Sequence, residues 1–384
     1  MDFTLNEEQE ALRETVEQLV SKQYRTTEDR RRVTTQTPGF NEELWQQLAE
    51  LGAFGLPFAE EIGGAGAGPI EVGIVAEQLG RALAPEPFVE TVVLAGGLIA
   101  ELGTAEQKEG LLGGIIAGEF QVAFAMHARG SRWQAAASGV AAQQIGGGWS
   151  LNGLKEPVRG GGQAQTLLVS ATTPWGSGVF LVAAGAAGME ARDYRTHDGG
   201  RAAGVTFANT SAVLLGEPGV DAAPTIARVF DRARLAYAFE MLGILEVGLE
   251  DTVDYLKTRK QFGVPLSSFQ ALQHRAAELY VALEVTRSTI LWAGMVLEAE
   301  LAGDASADGA SAITHACLQA NRAARLIGQD TLQMHGGIGM TAEYSIGQRL
   351  SRLTAIKRAI GDSNVFRERL LLRLEDYASV DPLA

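Results

Sequence analysis

The chain has one cysteine, Cys317, in 384 residues. A lone thiol excludes an intrachain disulfide and fits a reducing compartment. Its neighbours Ala316, Leu318 and Ala320 read as the setting of a core thiol rather than a nucleophile. Histidine is scarce, with five copies. His127, His197, His274 and His315 stand at no ligand spacing with cysteine or carboxylates, so no metal site is expected. Long apolar runs are missing. The most apolar stretch, 92–100, holds two glycines and has about half the length of a membrane span. Basic residues are in deficit: 32 Lys and Arg face 46 Asp and Glu, for a net charge of −14. Such an acidic surface argues against nucleic acid or an anionic membrane as partner. The opening MDFTLNEEQEALRETV is acidic and amphipathic, unlike a signal or transit peptide. A cytoplasmic protein is expected.

What is present is globular: 46% hydrophobic and 20% charged residues, in a chain long enough for two or three domains. Helical spacing of apolar residues marks 6–23, 41–52, 70–83, 88–102 and 105–117. Thr4-Leu5-Asn6-Glu7 reads as a capping box for the first helix. The glycine-rich run 63–69 lacks a following GKS/T and reads as a flexible connector, not a phosphate cradle. Short β-branched or aromatic runs at 121–126, 149–151, 166–171, 178–184 and 203–207 predict a small β domain over roughly 120–220. Helical patterning resumes at 224–262, 267–301, 308–334 and 345–378.

The strongest signal lies at 231–263. Apolar residues recur at 235, 238, 242, 245, 249, 253 and 256, the stripe of a long amphipathic helix. Gly263, with Pro265 beyond it, reads as its stop. Ser267-Ser268-Phe269-Gln270 reads as a capping box for the next helix. Beside the first stripe stand Tyr237, Met241, Ile244 and Val247. That second apolar face points to burial on two sides, against the chain's own bundle and against another subunit.

Two segments carry a family likeness. Tyr255-Leu256-Lys257-Thr258-Arg259-Lys260-Gln261-Phe262-Gly263 and QMHGGIGMTAEY resemble the C-terminal signatures of the acyl-CoA dehydrogenase family. LPFAEEIGGAGAGPIEV and LNGLK fall where that family has counterparts. Within the family, the small subunit of pimeloyl-CoA dehydrogenases is the nearest likeness. The resemblance implies an α+β fold: an N-terminal helical domain over 1–120, a middle β-barrel domain over 121–222, and a C-terminal four-helix bundle over 223–384. It also implies FAD lying extended across a subunit interface. Arg259, Gln261, Phe262 and Gln270, with Gln333, Gly336 and Gly337, would hold the ADP end of a flavin seated on the neighbour. The chemistry agrees, because a pyrophosphate suits a planar guanidinium and backbone N–H groups that paired glycines leave accessible. The alternative is a solvated Arg259 and a glycine pair that merely stops a helix. His335, inside the glycine turn, reads as structural. Phe230-Asp231-Arg232-Ala233-Arg234 resembles the family segment that touches the CoA arm, which would make Asp231 and Arg234 substrate contacts. An ordinary i, i+3 ion pair is the alternative.

The chain departs from the family where the chemistry lies. The two positions that carry the proton-abstracting glutamate are Ala233 and Ile360 here. The flavin loop falls on Ala125-Met126-His127-Ala128-Arg129-Gly130-Ser131-Arg132, and the Trp-Ile-Thr that lines the flavin falls on Pro157-Val158-Arg159. Glu240, two turns beyond Ala233 on an apolar stripe, is a candidate base with a raised pKa, or else a buried structural acid. Asp362 reads as a helix cap. The resemblance therefore implies a subunit of a FAD-dependent acyl-CoA dehydrogenase in a two-plus-two hetero-oligomer. A paralogous subunit would supply the base, the substrate would be a dicarboxylic, branched or ring-containing acyl-CoA, and an electron-transfer flavoprotein or similar acceptor would take the electrons. A self-sufficient homo-oligomer using Glu240, or a flavin-free structural paralogue, are the alternatives.

Overall fold

The computed structural model describes residues 3–131 and 133–376. Arg132 and the last positions of the 345–378 segment lie outside the described residues. The N-terminal helical domain comprises α1 (Glu7–Gln23), α2 (Thr27–Thr35), α3 (Glu42–Glu50), α4 (Pro69–Arg81), a π-helical turn at Val89–Gly96, α5 (Gly97–Leu102) and α6 (Ala105–Ile116). Two local expectations are corrected here. The first helix is capped two residues later, by Asn6 with Gln9 rather than Thr4 with Glu7. The glycine-rich run is a pinned turn: the N–H groups of Gly64, Ala65, Gly66 and Ala67 donate to the carbonyls of Ala59, Gly55, Phe58 and Leu56. α2 has no apolar stripe to announce it. Its buried residues are Arg30 and Thr34, and a Thr26–Asp29 capping box starts it.

The middle domain holds β1 (Val122–Ala125), β2 (Val140–Ile145), β3 (Gly148–Arg159), β4 (Thr166–Thr173), β5 (Gly176–Ala183), β6 (Met189–Arg195) and β7 (Arg201–Leu214). The ladder β4-β2-β3-β7-β5 returns to β4 through the antiparallel β4–β5 pair, so it closes on itself. Closure removes most sheet edges. Leu151, Leu167, Val169, Phe180 and Val205 fill the interior.

The C-terminal helical domain consists of α7 (Ala223–Thr258), α8 (Gln270–Leu301), α9 (Gly309–His335), α10 (Ser345–Ile360) and α11 (Ser363–Leu371). α7 stops at Thr258, before Gly263. Gly263 instead turns a hairpin in which β8 (Lys260–Gln261) pairs with β9 (Val264–Pro265). The expected Ser267–Gln270 capping box is not formed: a 3-10 turn occupies Leu266–Ser268, and α8 starts after Phe269 without a side-chain cap.

The second apolar face of α7 is also reassigned. Tyr237, Met241 and Ile244 are buried because α7 is the internal shaft of the chain, packed on α4, α8, α9 and α10. Glycine lets α4 approach it. A Cβ on Gly80 would lie 2.1 Å from the Glu240 carbonyl oxygen, and one on Gly243 would lie 2.1 Å from that of Glu77. Among the apolar residues left uncovered is a cluster on α8, where Tyr280, Val281 and Val285 are 58%, 61% and 49% exposed.

Candidate active site and cofactor arm

The two signature segments meet at one end of the helical domain. Tyr255 on the last turn of α7 stacks on His335, the last residue of α9, with ring centroids 4.5 Å apart. Tyr344 closes on the same imidazole at 4.9 Å. His335 is buried, and its Nδ1–H donates to the Thr331 carbonyl at 2.8 Å. Burial lowers its pKa, so the ring is a neutral aromatic staple. Arg259 follows Tyr255 by four residues and Gly336 follows His335 by one, so both emerge beside the staple.

These flanking residues face solvent. Arg259, Gln261, Gln270, Gln333, Gly336 and Gly337 are exposed, and Phe262 at the hairpin tip is 90% exposed with φ +53°. Arg259 makes no ion pair among the described residues. A Cβ on Gly336 or Gly337 would meet nothing within 4 Å, so their backbone is open to a ligand. An unpaired guanidinium beside an open glycine backbone fits a pyrophosphate.

A separate cavity of about 490 Å³ lies where the three domains meet. Leu94, Phe124, Met126 and Phe230 give it apolar walls. Within it, the Tyr237 hydroxyl donates to Glu90 Oε1 at 2.7 Å. Burial, then the Glu90 charge, hold the Tyr237 phenol well above its ordinary pKa, so it keeps that proton. Burial, with Lys155 and Arg234 nearby, pushes His127 down to about 4, leaving a neutral ring. Arg159 enters from β3 and donates through Nη2 to the Ala355 carbonyl at 3.0 Å. Arg195 and Arg358 stand exposed at the rim. Beneath the 126–138 loop, the fully buried Lys155 Nζ donates to Met126 O, Ser138 O and Ser170 Oγ, each at 2.8 Å. Burial pushes that amine down to about 7.

Ala233 and Ile360 are both fully buried, and neither holds a proton. Glu240 does not line the cavity. Arg352 grips it through Nε at 2.6 Å and Nη2 at 3.0 Å, and reaches Asp198 through Nη1 at 2.9 Å. Burial lifts the Glu240 pKa against the pull of Arg352. Asp231 and Arg234 likewise turn inward. Arg234 bonds Asp231 at 2.6 Å and the Ile360 carbonyl at 2.8 Å, while Arg369 closes on both Asp231 oxygens. This pair ties α7 to α10 and α11, and does not line the cavity. Burial opposes ionisation of Asp231, yet Arg369 and Arg234 hold its carboxyl below the usual range. Cys317 is buried beneath them, its thiol pushed up to about 12 by burial. Asp362 caps α11 through the N–H groups of Asn364 and Val365. Among the described residues, no group of three or more His, Cys, Asp or Glu could hold a metal ion. No helix among them is long and apolar enough to cross a membrane.

Glu90 is the residue that the sequence reading missed. Its signal was a single carboxylate in the otherwise apolar opening of the 88–102 helix.

The chain matches the family models "Acyl-CoA dehydrogenase, N-terminal domain" over residues 6–119 and "Acyl-CoA dehydrogenase, C-terminal domain" over 223–374. It is 31% identical over 355 residues to acyl-CoA dehydrogenase FadE27 of Mycobacterium tuberculosis, covering 90% of this chain and 91% of the relative. A solved variant of a steroid ACAD, Tcur3481-Tcur3483, superposes with TM-score 0.86 at 35% identity, over 97% of this chain and 99% of that one. The ChsE4-ChsE5 complex of M. tuberculosis gives TM-score 0.86 at 28% identity, over 99% and 100%. FAD is the cofactor of the family. The chain belongs to the acyl-CoA dehydrogenase family.

Proposed function

We propose that this chain is a subunit of a heteromeric FAD-dependent acyl-CoA dehydrogenase, lending its cofactor arm to a paralogous partner that carries the base. One contrast carries this reading. The residues suited to the ADP end stand free around the Tyr255–His335 staple, whereas the two positions at which the family carries its base hold Ala233 and Ile360, both fully buried. Arg159, not a hydroxyl residue, lines the cavity on the β-domain side. The similarity to the ChsE4-ChsE5 complex supports a pairing of unlike chains. The exposed apolar residues of α8 are suited to such an interface.

In this reading Arg259 and the Gly336-Gly337 backbone bind the pyrophosphate, and Gln261, Phe262, Gln270 and Gln333 flank the adenosine. Bound FAD supplies the hydride acceptor for α,β-desaturation. Arg195 and Arg358 offer positive charge to the anionic CoA carrier at the cavity rim. Asp231 and Arg234 serve the fold and do not contact substrate. The complex is two plus two and cytoplasmic, like the small subunit of pimeloyl-CoA dehydrogenases. Its substrate is a bulky dicarboxylic, branched or ring-containing acyl-CoA, and an electron-transfer flavoprotein takes the electrons.

The test is preparative. Purified alone, the chain is expected to be nearly colourless. Co-produced with its partner, it is expected to give a yellow complex with one FAD per pair of unlike chains. One FAD per chain in the polypeptide alone refutes the divided site.

A further inference from the structure

Glu90 and Arg159 line the main cavity together, and both also line a small chamber of about 60 Å³ that adjoins it. Among the described residues Glu90 is the sole carboxylate on the main cavity wall, and the Tyr237 hydroxyl bonds its Oε1. Arg159 has no carboxylate within ion-pair distance among the described residues. Its one side-chain hydrogen bond goes to the Ala355 carbonyl. The other nearby guanidinium, Arg352, is taken up by Glu240 and Asp198. His127 is neutral, and Arg195 and Arg358 remain at the rim. Where the two cavities adjoin, Glu90 thus offers a free acceptor and Arg159 free donors of opposite formal charge, while Tyr194, Thr196, His197 and Thr354 complete the polar lining and Arg195 and Arg358 add positive charge at the rim.

We propose that this cavity selects an acyl group carrying a neutral hydroxyl, which donates to Glu90 and accepts from Arg159. This rests on the reading above that the chain takes an acyl thioester, and narrows its substrate class to branched or ring-containing acyl groups that bear a hydroxyl, setting the dicarboxylic ones aside. A carboxylate at that point meets Glu90 in repulsion, and an ammonium meets Arg159. A methyl group leaves both polar partners without the hydrogen bonds they had in water, a loss larger than that of a missing apolar contact. The cavity volume lies within the range that encloses drug-sized ligands, so the hydroxyl is carried on a bulky or long acyl body.

Calorimetric binding to the assembled complex tests this. The probes are acyl-CoA series from hexanoyl to decanoyl, ending in methyl, hydroxyl or carboxylate. For at least one length the hydroxyl form is expected to bind about tenfold more tightly than the other two. Glu90→Leu in this chain alone should abolish that preference. Glu90→Gln should keep hydroxyl ahead of methyl but lose the discrimination against carboxylate. Tightest binding of the carboxylate form by the parent, equal binding of all three at every length, or a preference that survives Glu90→Leu overturns the proposal. Flavin absorbance on the same samples separates the two readings. One FAD per unlike pair without hydroxyl preference sinks this inference alone. Hydroxyl preference in a complex lacking FAD sinks the divided cofactor site alone.

Discussion

Arg352 commits its whole guanidinium to two carboxylates, Glu240 on α7 and Asp198 in the turn between β6 and β7. The cation thereby ties the β domain to the helical domain. Replacing it with methionine leaves two buried carboxylates without their counter-ion, at an expected cost of about 3–5 kcal/mol. Chemical denaturation of the purified chain would measure it. Glu240→Gln should leave turnover of the assembled enzyme within about tenfold, or ~1.4 kcal/mol of barrier. A fall of about 10²–10⁴-fold with FAD content intact is the signature of a lost general base, and would return that role to Glu240.

Arg259 is exposed and makes no ion pair among the described residues, so its removal should disturb the fold little. Arg259→Ala should weaken FAD retention by the complex by roughly 1.5–3 kcal/mol, the scale of a charge-assisted hydrogen bond. Fluorescence of flavin released on dilution reports it, and unchanged retention would contradict the assignment.

Glu86 is buried and accepts from the Tyr24 hydroxyl and the Asn41 N–H. Burial raises its carboxyl to about 7. The folded chain thus holds a proton there that the unfolded chain releases near the ordinary carboxylate pKa. The stabilisation is full at low pH and is lost as pH rises through about 7. Glu86→Gln cannot ionise. The unfolding free energy of the variant relative to the parent should therefore shift in the variant's favour by about 1–3 kcal/mol between pH 5 and pH 8. A difference independent of pH would refute this.

The uncovered face of α8 is expected to lie at the subunit interface. Val281→Lys with Val285→Lys should leave the monomer folded and shift sedimentation of the complex toward separate chains. An obligate interface would bury on the order of 2,000 Å² or more. Unchanged assembly of the double variant would move the interface elsewhere.

Much of this was legible in the sequence, for identifiable reasons. The helix–strand–helix order follows from period, and the proposed cofactor arm lies in two contiguous segments. β6 escaped notice because its residues are mostly exposed and carry no apolar alternation. Glu90 and Glu240 were harder still. Tyr237 is 147 residues from Glu90, and Arg352 is 112 from Glu240. Sequence alone marked Glu240 as a desolvated acid, but the cation that claims it comes from another helix. The second face of α7 reads as one for another subunit for a related reason: two apolar faces mark a helix as buried without saying by what, and α4 and α9 of the same chain cover it.

The hairpin that carries Phe262 into solvent, together with the bare face of α8, also bears on how the chain is handled during synthesis. A copy released before its partner is available presents to chaperones and proteases the same surface that assembly would hide. Its cellular amount is therefore expected to follow the supply of the partner polypeptide rather than its own rate of translation. The two chains would then be produced most economically from one transcript.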